Sequence, residues 1–236
     1  MPFDDRDASG IGALADPVRR QLYLYVCAQP GAVSREQAAD AVGVAAHKAK
    51  FHLDKLEAEG LLETDYARLH GRSGPGAGRT SKLYRRAARD IAVSLPDREY
   101  QLAGRLMADA IAESAATGTP VIDALHRLAH THGRLLGEGA VGAQGPPTTA
   151  GAAMRLAVQT LAAHGYEPRV EGTRAVMANC PFHALARAQT ELVCGMNHAL
   201  IGGLTECLGP HRPASELMPG PNRCCVVLSE NTRRRT

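Results

Sequence analysis

The 236-residue chain has no tryptophan, three phenylalanines and six tyrosines. Its core must therefore be built from aliphatic side chains and alanine, which favours helices over an aromatic-packed β-sandwich. No stretch approaches the roughly 18 apolar residues of a spanning helix, so no membrane segment is expected. The opening Met1-Pro-Phe-Asp-Asp-Arg-Asp is acidic and is not followed by an apolar run, unlike a signal peptide; a cytoplasmic location is expected. Lysine is scarce, only four of 27 basic residues, so a lone arginine marks little. A dominant charge is lacking too: 27 basic against 24 acidic residues give +3, too balanced to argue for nucleic acid or a membrane surface.

What is present is unevenly placed. Of six cysteines, at 27, 180, 194, 207, 224 and 225, five fall in the last 57 residues. Disulfides are rare in a reducing compartment, so this clustering points to metal, cluster or redox chemistry. Residues 1–65 carry 7 basic and 11 acidic side chains. Residues 66–89 carry seven basic side chains and no acid, so the modest global charge hides a local basic segment.

Asp16-Pro17 is an N-cap followed by a first-turn proline, and it predicts a helix through Val26. Ser34 with Gln37 is a capping box that opens a short helix over Arg35–Ala41. Gly43 marks a turn, and a third helix runs from about Ala45 to Glu59 with Ala49, Leu53 and Leu56 inward. Leu61–Tyr66 and Lys82–Arg86 read as strands around a glycine-rich hairpin tip. Helix, helix, turn, helix and basic hairpin make a winged helix-turn-helix plan. Long helices follow over Asp97–Thr117 and Pro120–Gly137, then a linker over Gly139–Thr149. Ala150–His164 reads as a helix, and 168–171 with 174–178 as a hairpin. A helical stretch after Cys180, a Pro- and Gly-rich loop over 209–222 and a strand over 224–229 complete the chain. The fold class is thus α+β and mostly helical. Its expected parts are a reading head over 1–90, a helical linker or dimerisation region over 91–138, and a small α+β domain over 150–230.

The stretch Val33–Leu62 (VSREQAADAVGVAAHKAKFHLDKLEAEGLL) resembles the winged helix-turn-helix of ArsR-type transcription regulators, and Ala13–Leu22 is similar to that family's first helix. The resemblance implies that the third helix enters the major groove of double-stranded DNA. With Ala49, Leu53 and Leu56 inward, Ala46, His47, Lys48, Lys50 and Phe51 are left towards DNA. Arg72, Arg79 and Lys82 in the hairpin are candidates for neutralising phosphates, Arg79 through the minor groove. A homodimer is expected because paired modules read two half-sites. Leu102, Leu106, Ala110 and Ile111 form the candidate dimer stripe, unless that stripe packs within one chain.

Asn179-Cys-Pro-Phe-His, Glu191-Leu-Val-Cys-Gly-Met-Asn and Arg223-Cys-Cys-Val-Val-Leu resemble the sensor domain of SufR-like repressors of iron–sulfur assembly. That resemblance implies an iron–sulfur cluster held by C-terminal cysteines and DNA affinity that depends on it. Cys194 and Cys207 would stand about 20 Å apart on one continuous helix, too far to share a metal. Cys180 can meet Cys194 only if the helix breaks near Ala188–Thr190. Neighbours on a strand point to opposite faces, so only one of Cys224 and Cys225 should face the site, with Cys225 favoured. The metal set is then Cys180, Cys194 and Cys225 with His183 as fourth ligand. His198, Cys224 and Cys207 stay open for that fourth place. Three sulfurs and one nitrogen would equally suit structural zinc, and a metal-free thiol sensor is a further alternative. Cys180 at a helix N-terminus should have a stabilised thiolate. An enzyme is not expected: no Asp or Asn is placed to orient His183 as a base for Cys180.

Overall fold

The computed structural model describes residues 5–67, 81–220 and 223–231. The chain divides into two units, one ending at Val93 and one beginning at Ser94, each with its own core.

The first unit opens with α1 (Asp5–Ala13), a helix that the acidic start does not advertise. Tertiary contact holds it, as a nine-residue helix requires. Ser9 donates to Glu59 at 2.6 Å and Arg89 bonds Asp7. α2 (Pro17–Ala28) starts where predicted, with Asp16 accepting from the Arg19 amide at 2.9 Å. α3 (Arg35–Val42) has the full capping box: the Gln37 amide donates to Ser34 Oγ, and the Ser34 amide to Gln37 Oε1. Gly43 adopts the left-handed conformation (φ 71°) that closes the turn into α4 (Ala46–Ala58). A short strand, β1 (Val33–Ser34), pairs with β3 (Ser81–Arg86), which pairs in turn with β2 (Leu62–Ala67) in an antiparallel sheet. Leu22, Val26, Ala49, Leu53, Leu56, Leu62 and Tyr84 are buried between helices and sheet. The three inward positions expected of α4 are all fully buried.

The second unit joins the middle helices and the cysteine-bearing elements around a single core, where the sequence predicted a separate linker region. α5 (Tyr100–Thr117) packs on α6 (Val121–Gln144). Leu102, Leu106 and Ala110, the candidate dimer stripe, are buried in this core, and only Ile111 stays exposed. α6 runs seven residues past the predicted end, into the first half of the expected linker. Ala140 and Val141 pack on the core, and that stripe outweighs the poor helix propensity of Gly139 and Gly142. α7 (Ala150–Ala162) is capped by Thr149, which accepts from the Ala152 amide.

An antiparallel sheet follows, in the order β4 (Pro168–Glu171), β5 (Arg174–Met177), β7 (Val226–Ser229), β6 (Ala214–Leu217). β6 lies inside the predicted loop. Pro213 just precedes it, a position that an edge strand tolerates. Between β5 and β6 come α8 (His183–Ala188) and α9 (Thr190–Glu206), broken at Gln189 within the predicted interval. α9 and α6 cross at backbone contact. A Cβ on Gly133 would lie 1.8 Å from Leu200 O, and one on Gly203 would lie 2.0 Å from His130 O.

Candidate nucleic-acid interface and thiol pocket

α4 has two sides. Ala49, His52, Leu53 and Leu56 face the core, while Ala46, His47, Lys48, Lys50 and Phe51 are exposed, as the sequence predicts. Phe51 is 65% exposed, unusual for a phenylalanine on a monomer surface. Lys48 and Lys50 form no ion pair with a described residue. His52 is buried and accepts from Arg19 Nε at 3.4 Å. Burial pushes its pKa below the ordinary imidazole value, and Arg19 and Lys48 add to this against the opposing pull of Asp16.

Lys82 has a role that the sequence did not disclose. Its ammonium bonds Asp54 at 3.0 Å and Glu57, both on α4. It also sits 5.2 Å from the ring centroid of Tyr84, whose hydroxyl donates to the same Asp54 at 2.8 Å. Burial opposes the charged Lys82, yet its bonds to Glu57 and Asp54 win and raise its pKa. Arg85 pairs with Glu63 and Asp65, and Arg89 with Asp7. The basic segment is thus met in part by the acidic residues of the first 65, and its net charge overstates the field it offers to a phosphate. Arg72 and Arg79 lie outside the described residues.

A capped helix, a left-handed glycine turn and a second helix with an exposed basic face now stand together. Residues 14–65 match a protein family described as a helix-turn-helix domain. The chain carries a helix-turn-helix domain. No curated protein and no solved structure matches the chain significantly. The helix-turn-helix match supports a DNA-binding transcriptional regulator. No helix among the described residues is long and apolar enough to cross a membrane.

Outside the helix-turn-helix domain, the second unit holds a pocket of about 480 Å³ lined by Cys180, Cys194, Cys224 and Cys225, with His183, Arg98, Arg187 and Arg223 also contributing. Local structure explains the convergence. The break between α8 and α9 lets the chain double back from Cys180 to Cys194. The Cys224 amide donates to Met177 O at the end of β5, and Cys225 O accepts from the Met218 amide just past β6. These bonds fix both residues before β7 begins at Val226. Strand alternation therefore does not govern the pair, and both line the pocket, which corrects the expectation that only one would.

The four thiols line one pocket, with Cys224 beside Cys180 and Cys225, and Cys225 also beside Cys194. Cys224 is the thiol of the set whose pKa is lowered: the neighbouring Cys180 and Cys225 thiols, the Val226 amide and Asn197 outweigh burial. Cys180 and Cys225 shift the other way, first because of the adjacent Cys224 and then because they are buried. The expectation that a helix N-terminus would stabilise the Cys180 thiolate fails for this reason, and α8 begins three residues later.

Behind Cys224, Asn197 Nδ2 donates to its sulfur at 3.1 Å, and the Tyr166 hydroxyl donates to Asn197 Oδ1. Asn197 is 1% exposed and Tyr166 3%. Leaving such a buried amide unpaired would cost about 1–3 kcal/mol. Burial raises the Tyr166 pKa, as do the neighbouring Cys224, Cys180 and Cys225, so the phenol stays a donor.

The remaining candidates sort by position. His183 lines the pocket but is exposed. His198 Nε2 engages Ser215 O of β6 at 3.0 Å. Cys207 lies just past the far end of α9, where its thiol donates to Arg134 O at 3.4 Å, and it does not line the pocket. Among the described residues, no group of three or more His, Cys, Asp or Glu is arranged to hold a metal ion. The donor chemistry nevertheless suits an iron–sulfur cluster, which takes cysteine sulfurs, commonly four.

Proposed function

We propose that the protein is a cytoplasmic transcriptional repressor, not an enzyme, that binds DNA as a homodimer and whose affinity is set by an iron–sulfur cluster held at the thiol pocket. The observation that carries this reading is the meeting of four cysteines at one pocket, in a chain that also bears a helix-turn-helix domain. Cys180, Cys194, Cys224 and Cys225 are the proposed ligands. This adds Cys224 to the spacing-based set and moves His183 to the rim. Bound there, the cluster supplies a redox- and oxygen-sensitive link among the segments that carry the four sulfurs. The chain's own part is to present thiolates. Cys224 is already favoured as one, and Cys180, Cys194 and Cys225 must shed their protons as ligands form. Arg98 holds the approach to Cys180 in place by donating to Asn179 Oδ1 and Cys180 O at 2.6 and 2.7 Å. At the reading helix, Lys48 and Lys50 would neutralise phosphates, while His47 and Phe51 would meet base edges.

The test is purification of the full chain without oxygen, with an absorbance spectrum, iron and sulfide content, and duplex binding before and after cluster loss. Brown protein with iron and sulfide, and affinity that changes on loss, is the expected result. Colourless protein with one zinc per chain would leave a regulator with a structural metal. The adjacency of the Cys180, Cys224 and Cys225 thiols favours one other reading, a metal-free thiol sensor. Its mark would be duplex release by peroxide in metal-depleted protein.

A further inference from the structure

The buried pair behind Cys224 is more than packing. Asn197 stands three residues after Cys194, so one turn of α9 carries both a proposed ligand and a side chain aimed at a second one. A leucine would fill the same volume without needing partners, yet the position holds an amide with both ends engaged. A ligand sulfur can only accept, so the Nδ2 end must face Cys224, and the Tyr166 hydroxyl, donating to the amide oxygen, holds the other end. A flipped amide would set its oxygen against the sulfur's lone pairs and give up the present bond from Tyr166.

Resting on the iron–sulfur reading above, we propose that Asn197, oriented by Tyr166, is a positioning residue that tunes the cluster through its hydrogen bond to Cys224 Sγ. The physical reason is charge. Reduction adds negative charge to the ligand sulfurs, and an N–H donor stabilises that state more than the oxidised one, which raises the reduction potential. The donor is fixed and dry, with Asn197 and Tyr166 both buried, so water cannot replace it at no cost when it is removed. Among the described residues no side-chain amide donates to the sulfur of Cys180, Cys194 or Cys225, so the bond distinguishes Cys224 from the other three.

The experiment uses the full chain, purified anaerobically, as wild type, Asn197→Leu and Tyr166→Phe. Iron and sulfide per chain are measured first. The potential is then followed by spectroelectrochemical titration, and the visible circular dichroism of the cluster is recorded. Asn197→Leu should keep its iron and sulfide, shift to a more negative potential and alter the dichroism. Tyr166→Phe keeps the ring and frees the amide to rotate; it should shift the potential the same way by a smaller amount. If Asn197→Leu fails to fold or load, Tyr166→Phe alone decides. Loaded wild type with unchanged potentials in the variants that load overturns the proposal alone. Wild type without iron and sulfide overturns it together with the reading on which it rests.

Discussion

Lys82 shows how a single side chain can look like a DNA contact in sequence and serve another purpose in the fold. It carries the right charge in a basic hairpin, but its ammonium is bonded to Asp54 and Glu57 of α4. On the proposed role of α4, those two carboxylates would otherwise face a phosphate backbone. Lys82→Met should destabilise the first unit by about 1 kcal/mol, in the range of partly exposed ion pairs. It should weaken duplex binding as well. In a chain that already carries Asp54→Asn and Glu57→Gln, the same change should cost much less, and urea melts with gel-shift titrations over this double-mutant cycle check it. Lys50→Ala should instead lower affinity evenly across sequences and reduce the slope of log K against log salt by about 1. His52 gives a pH signature. Its pKa is depressed in the fold, so its contribution is complete above the ordinary imidazole range and is lost as pH falls through the folded value. The first unit should lose stability on acidification below about pH 6.5, and His52→Gln should flatten that dependence in thermal melts.

At the scale of elements, α6 separates two kinds of glycine that look alike in sequence. Gly133 touches the backbone of α9, whereas Gly139 has no neighbour within 4 Å of a built Cβ. Gly133→Ala should destabilise the second unit by about 3 kcal/mol or more through overpacking. Gly139→Ala should stabilise it by about 0.5–1 kcal/mol through helix propensity, and chemical denaturation of both variants tests the contrast. The caps and turns of α2, α3 and α4 were legible because they depend on residues within one turn of each other: Asp16 with Arg19, Ser34 with Gln37, and Gly43 alone. The inward face of α4 was legible for the same reason, whereas the break at Gln189 was expected as the condition for Cys180 to meet Cys194. What escaped was set by distant partners. β1 and β6 exist because β3 and β7 lie beside them, and the last turns of α6 persist because their apolar stripe finds the core. The Cys224-Cys225 pair was misjudged because a strand was assumed two residues too early. Cys207→Ser should therefore leave cluster content unchanged, while Cys224→Ser should abolish or greatly reduce it, as iron and sulfide analysis of anaerobic preparations would show.

At the scale of the whole molecule, the acidic and basic segments that cancel in the net charge are used within one unit, and the cysteines cluster in the other. Each unit has its own core, so residues 3–93 and 94–236 produced separately should each fold. Circular dichroism with a cooperative melt for each fragment is the check, and only the first should shift a DNA duplex. The crossing of α6 and α9 then acquires a mechanical meaning. Where two helices meet through side chains, rotamer changes can absorb a small displacement. Gly133 and Gly203 remove that cushion and leave peptide groups in direct contact. Cys194 rides on α9, so a ligand bound at its sulfur, as proposed, would move α6 and α9 together more readily than it would slide one over the other.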